Sequence, residues 1–510
     1  MVSNITTQLD GWINPFVVKE LRQAVQGRFV VGILLLFLLV CVSAMGLYAM
    51  QYEEGLSDFN DGRDMFMFFW GALVVAGCAL IPLNVMVRLS KEIEANQTEL
   101  LFTTTLSSGT IIRGKLFSAF VLSVLIYTAC LPFMTLTFLM RGIDVVSIFM
   151  LLIYGLIIVA LMVQFAIFIG CFPVSKAFKL FFGLFIIVVI GYCCVGTIAS
   201  AYELLRNGFF SRLGSWQYFW MPTSIFVATI FSLGGLFYML SVALISPVSS
   251  NRALPVRLYL TIIWLISGSV LGYVVYTEKI FWPLLIWAIT TTFVMVFGLL
   301  ISISERESLG ARMRKQIPDN WLLRIPMLLL YSGAAGGVLW CLSLFVLTVT
   351  TIWSVYALIP SGYAGYSDVD EVVSFMCTWI FYFLGYGMLA VLVRRITWSS
   401  FGWRLRPTWA IAMCIMIIFM IIPLMIGFFS GANLMSRKAW VWYLSTPLSS
   451  FAYQKHIDTY LAISIAFAVV TTLLNLPWFY KQIANFKPLP PVTPKDDTET
   501  SISDSETAAA

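Results

Sequence analysis

The amino-acid sequence predicts an all-α fold, a polytopic transmembrane helix bundle of about 12 spans in two six-span halves, with both termini inside and an N-terminal interfacial amphipathic helix. Three observations predict it. The 510 residues are 60% hydrophobic and only 11% charged, with a mean hydropathy of +0.91, whereas ordinary soluble domains hold about 45–50% apolar and about 25% charged residues. No soluble core buries that much apolar surface, so lipid must solvate most of it. Apolar runs of about 20 residues recur, each long enough to cross a ~30 Å hydrocarbon core at ~1.5 Å per residue. Strand-like alternation is absent, which favours spanning helices over a barrel.

The first segment, 1–28, reads as a cytoplasmic tail and interfacial helix. Asn14-Pro15 is a strong helix start, with Asn as N-cap and Pro at the first helical position. On a helical wheel Val17, Val18, Leu21, Ala24 and Val25 share one face, while Lys19, Glu20, Arg22, Gln23 and Gln26 take the other. Such a helix lies in the membrane interface. The first apolar run is too long for a signal h-region, so no cleavable leader is expected.

Twelve spans are expected, at 29–50, 65–87, 116–140, 145–170, 180–201, 224–246, 258–276, 281–303, 327–353, 373–393, 408–430 and 458–480. They divide into a six-span permease-like half, 29–250, and a second, divergent six-span half, 251–487. Charge sets the orientation. With the N-terminus inside, cytoplasmic segments hold 23 of the 31 Lys and Arg and external segments the remaining 8, which fits the positive-inside rule. The loop at 51–64, with Glu53, Glu54, Asp58, Asp61 and Asp64 against Arg63, suits an external position.

With these boundaries every charged residue falls in a loop or tail, so no span carries a formal charge. Ion-coupled transporters keep ionisable groups at membrane depth, and the lone histidine, His456, sits at an external edge. A secondary transporter is therefore disfavoured, although sodium sites built from carbonyls and hydroxyls would escape this test. The nine cysteines all fall in spans or at their edges, which points to inert buried thiols rather than a disulfide framework. No phosphate-cradling loop, metal-ligand cluster or hydrolase motif is present. No soluble segment is long enough for a catalytic domain, so no enzyme activity and no cofactor are expected in this chain.

The longest polar, two-signed interruption of the first half is 88–115, RLSKEIEANQTELLFTTTLSSGTIIRGK. It reads as a short helix at about 93–102, a Thr/Ser-rich turn at 103–109 and a second helix leading into the third span. On composition alone two readings stay open: a docking element, or a polar connector whose charges only enforce topology. After Pro247 the second half begins. Six is an even number of spans, so any repeat is parallel. After its second span Glu305-Arg306-Glu307 echoes Glu92-Ile93-Glu94, and that loop is either a second coupling element or a positive-inside anchor. Ser332-Gly333-Ala334-Ala335-Gly336-Gly337 offers small residues where helices can approach closely. Residues 488–510 are rich in Pro, Ser, Thr and acid, and read as a disordered cytoplasmic tail.

Asn14-Pro15, then Lys19-Glu20-Leu21-Arg22, a pair of spans and the 88–115 loop together resemble the membrane (permease) subunit of exporter-class, type-2 ABC transporters. The match runs through Glu92, Glu94, Glu99, Leu100, Leu101, Thr104, Leu106, Ser107, Gly114 and Lys115, and covers about residues 12–250. Ile93, Asn96 and Thr105 depart from the pattern, where the family has Arg, Gly and Pro. The resemblance implies that Glu92, Glu94, Glu99, Leu100, Leu101 and Lys115 couple the chain to a separate ABC-type ATPase subunit that binds the ATP. It also implies export across a bacterial inner membrane, and short re-entrant helices between spans five and six, where 202–222 is rich in aromatics. A second permease chain is a further possible partner, besides membrane lipid; nucleic acid is not expected. The competing reading is a non-transporting membrane scaffold or assembly component of the same fold.

Overall fold

The computed structural model describes residues 15–25, 27–53, 61–95, 107–140, 143–172, 176–247, 249–307, 309–358, 365–401, 408–429, 444–447 and 456–488. Asn14, Glu99, Leu100, Leu101 and the tail beyond 488 lie outside them. Among the described residues the regular structure is helical, and eleven helices are long and apolar enough to cross a membrane. The chain is an all-α integral membrane protein. It divides into two compact units, Met1–Pro247 and Val248–Ala510.

The first unit begins with α1 (Pro15–Val25) and α2 (Arg28–Glu53). Then α3 (Asp61–Val74) passes through a π-helical segment (Val75–Leu80) into α4 (Ile81–Glu94), one continuous crossing. Pro82 stands at the junction, where its missing N–H costs least. There follow α5 (Ser108–Leu139), α6 (Val145–Gly170), α7 (Lys176–Arg206) and α8 (Met221–Ile245). The Ser107 hydroxyl caps α5 by accepting the Thr110 N–H at 3.3 Å. The Asp144 carboxylate caps α6 by accepting the Ser147 N–H at 3.0 Å. A 3-10 turn (Phe209–Arg212) and a π turn (Trp216–Trp220) join α7 to α8. Phe210 and Phe219 are buried there, while Trp216, Tyr218 and Trp220 face outward, so this segment is folded in on one side and aromatic at the surface on the other. The core of the unit is the α3–α6 packing, built on Phe66, Phe69, Trp70, Cys130, Val159 and Ile167. Gln164 donates to Ser241 at 3.3 Å, tying α6 to α8.

The second unit holds α9 (Ala253–Glu278), α10 (Trp282–Ser302), α11 (Ala311–Arg314), α12 (Trp321–Leu330), α13 (Ala334–Leu358), α14 (Val369–Phe401), α15 (Thr408–Phe429), α16 (Ile457–Leu474) and α17 (Leu476–Ala484). Its core lies between α10, α13 and α14, around Leu285, Leu299, Cys341, Met376 and Ile380. All nine cysteines of the chain are free.

Three expected spans shift. The ninth, 327–353, is α13, because the chain breaks at 331–333 and leaves α12 as a separate helix. The twelfth, 458–480, breaks at Asn475 into α16 and α17. That side chain is fully buried, donates to the carbonyls of Met388 and Thr471 at 2.9 Å each, and so holds α14 against the break. The span at 408–430 is α15, whose apolar stretch Thr408–Pro423 is short for a crossing.

The small-residue run starting α13 works by close approach. A Cβ on Gly336 would run into the Leu328 carbonyl, and one on Gly337 would meet the Ser302 Oγ at 2.5 Å as well as the Arg257 guanidinium. Gly337→Val therefore destabilises the second unit by about 3 kcal/mol, measured as a lower midpoint of thermal unfolding in detergent, whereas Gly333→Ala, with open space around it, leaves the midpoint in place.

Candidate functional site

The structure gathers the charges that flank the spans into two buried ion-pair hubs, one in each unit. In the first unit Lys115, in the second turn of α5, is 5% exposed. Its Nζ donates to Glu92 Oε2 at 2.6 Å and to Glu20 Oε1 at 3.2 Å. One ammonium thus joins three elements: α1 through Glu20, the end of α4 through Glu92, and α5 itself. Burial without a partner is prohibitive for a charge, so each of these side chains needs the others. Glu92 keeps some contact with solvent, its side chain 24% exposed, which eases the excess of one negative charge.

The surroundings fix the same corner. Ser246 donates to Ser108 at 3.2 Å and Tyr238 to the Gly109 carbonyl at 3.4 Å, so the end of α8 holds the start of α5. Ser90 of α4 donates to the Gly170 carbonyl at the end of α6, at 3.5 Å. Both feet of the 88–115 loop are therefore rigidly seated, Arg88–Glu94 as the last turns of α4 and Ser108–Lys115 as the first turns of α5.

This revises the surface expected from sequence. Lys115 and Glu92 turn inward to each other; only Glu94 of the described acids stands exposed. The tip bearing Glu99, Leu100 and Leu101 lies outside the described residues. On α1 the wheel placed Glu20 with the solvated charges and Val18 with the apolar face. The structure reverses both: Glu20 is 8% exposed and Val18 is 46% exposed. The Lys115 ammonium decides it, because a buried cation recruits the nearest carboxylate more strongly than interfacial lipid recruits one valine. Lys19 and Arg22 stay exposed, as the wheel has them.

The second hub centres on Arg257, in the second turn of α9 and 3% exposed. It donates to Glu305 Oε1 at 2.5 Å and to the carbonyls of Leu329 and Tyr331 at 2.9 and 2.6 Å. Those carbonyls lie at the end of α12, where helix acceptors lose their intrahelical partners. The other Glu305 oxygen accepts the Gly333 N–H at 2.7 Å, just before α13. Burial pushes the Glu305 carboxyl above its ordinary range, and Arg257 and the Gly333 amide pull against that. Glu307 pairs with Arg394 of α14 and accepts the Trp478 indole N–H at 2.9 Å. Arg394 also donates to Thr408 at 2.6 Å, at the start of α15. Glu305 and Glu307 thus stitch helix ends together inside the unit, and Arg306 between them is exposed. Burial, and then the charge of Arg306, lower the pKa of the nearby Arg252.

Sequence reasoning missed Glu20 and Arg257 as anchors and took Lys115 for a surface group. The expected spans 116–140 and 258–276 begin one residue past Lys115 and Arg257, which hid both cations. The signal was a single cation beside a long apolar run, which at a helix start needs a partner from another element. In both units the carboxylate just beyond the second crossing (Glu92, Glu305) binds a buried cation and braces the chain around the start of the third. No family model matches the chain, and no characterised protein or solved structure matches it either.

Proposed function

We propose that the chain is the transmembrane permease subunit of an ATP-driven exporter in the bacterial cytoplasmic membrane, driven by a separate ABC-type ATPase that docks on the 88–115 loop. The observation that carries this reading is the Lys115 hub. A docking loop transmits a partner's movement only if its feet are rigid, and Lys115 ties both feet and α1 into one body. A push on the tip then moves α4 and α5 together, as a rigid-body displacement rather than a local flexing. Arg88–Glu94 and Ser108–Lys115 fall on the face where Lys and Arg concentrate, the cytoplasmic side in a positive-inside protein. The order and spacing of the 12–115 motifs support the same family. Lys19 and Arg22, exposed on α1 beside the hub, suit contact with anionic headgroups of the inner leaflet.

The test is co-purification of the chain with candidate ATPase subunits from membranes. The expected result is a stable complex that Glu99→Arg abolishes and Lys19→Gln retains. Association unchanged by Glu99→Arg overturns the loop as the docking element. Stimulated ATP hydrolysis in a vesicle that moves no solute assigns the scaffold role instead.

A further inference from the structure

The first unit contains a cavity of about 370 Å³ at the end of α7, walled by Trp70 of α3, Tyr154 of α6, Phe209 and Phe226. Glu203 is the sole charged residue in its lining, and Thr197, Ser200 and Asn207 add neutral polar groups along the same helix end. We propose that this cavity binds an amphipathic organic ammonium ion, an aromatic or acyl body carrying a quaternary or alkylated nitrogen and a carbonyl oxygen.

Three independent features select that chemistry. The walls are aromatic faces, which attract a desolvated cation and pack an apolar body at once. Tyr154 is held in place as a wall: its hydroxyl bonds Thr223 at 2.6 Å, and its ring packs on Phe226 at 5.2 Å and Phe210 at 5.8 Å. The charge is negative: Glu203 lies in the last turn of α7, where the helix dipole also presents its negative end. Its neighbour Arg206 reaches it only at 4.0 Å, with both side chains more than half exposed, a pairing too weak to occupy the carboxylate. The third feature is a missing acceptor. Trp70 is 1% exposed, and its indole N–H is buried with no hydrogen-bond partner, a state natural interiors avoid. A ligand carbonyl supplies the acceptor. Gly155 permits this arrangement, because a Cβ there would lie 2.5 Å from the Trp70 ring and 2.7 Å from the Tyr127 oxygen.

The site belongs to this chain alone and does not depend on ATPase coupling, so its test uses the purified full-length protein without a partner. The probe is radiolabelled benzoylcholine, which combines the ring, the ester carbonyl and the quaternary nitrogen, at equilibrium in dodecyl maltoside micelles. Saturable binding at one site is expected. Glu203→Gln weakens it about tenfold, Trp70→Phe weakens it about threefold, and Arg206→Gln tightens it. The uncharged isostere 3,3-dimethylbutyl benzoate competes at least about tenfold more weakly. Glu203 is exposed on the helix end, so its variant retains the wild-type unfolding midpoint. Equal competition by the neutral ester, or binding unchanged in Glu203→Gln, overturns the proposal. Displacement of the probe by dioleoylphosphatidylcholine makes a lipid headgroup the source of the ammonium; probe binding that resists the lipid makes it a free cation, and both outcomes uphold the class.

Discussion

Arg257→Leu lowers the stability of the second unit by about 3–5 kcal/mol, the largest loss expected from any single substitution in this chain. The size follows from what the guanidinium satisfies. It neutralises Glu305 and caps the carbonyls of Leu329 and Tyr331, so its loss leaves one anion and two acceptors in an apolar pocket. Leucine restores none of these. The loss is pH-dependent, with a sign fixed by Glu305. The folded-state pKa of that carboxyl is already raised by burial, and rises further without Arg257. A carboxyl raised in this way contributes stability below its ordinary range and loses it as pH climbs through the raised value. The variant is therefore less impaired near pH 5 than near pH 8. Removing both charges, as Arg257→Leu with Glu305→Leu, recovers part of the deficit, since a buried pair replaced together costs less than one partner stranded. Unfolding in mixed micelles across that pH range measures all of these. A single variant with no pH dependence would rule out Glu305 as the stranded group.

Lys115→Met costs the first unit about 3 kcal/mol and, unlike the Arg257 change, loosens an element from the unit. Methionine fills the volume but leaves Glu92 and Glu20 facing each other. Glu92 reaches solvent and relaxes outward; Glu20 escapes only by carrying α1 away from α5. The expected signature is proteolysis within α1 at protease levels that spare the native chain. Glu20→Gln in the Lys115→Met background removes the repulsion and restores protection. If α1 stays protected in Lys115→Met, apolar packing rather than the ion pair holds it.

The helix bundle was legible in the sequence because its cause is local. An apolar run of about 20 residues has few alternatives to a crossing helix, and the positions of α2 to α10 follow. Helix ends were less legible because their causes are remote. The ninth span shifted because Arg257, some seventy residues upstream, gathers the carbonyls at the end of α12, while hydropathy across 327–333 stays apolar and hides the break. The twelfth split at Asn475, whose side chain bonds Met388 across the bundle. The wheel of α1 failed at Glu20 for the same reason: its partner lies on another helix, 95 positions away. In the 88–115 loop the family-like motif located the right corner of the chain, but residue type alone does not tell a charge offered to a partner from one already spoken for within the fold.

The π segment Val75–Leu80 has a consequence for how lengths may change in this region. It inserts one surplus position into an otherwise continuous crossing. Deleting any one residue there resets the winding to the ordinary period and turns everything below it by about 100°. Glu92 would swing off the line to Lys115, so the α3–α4 rod tolerates substitution far better than a change of count, and its phase is set by that single irregular turn.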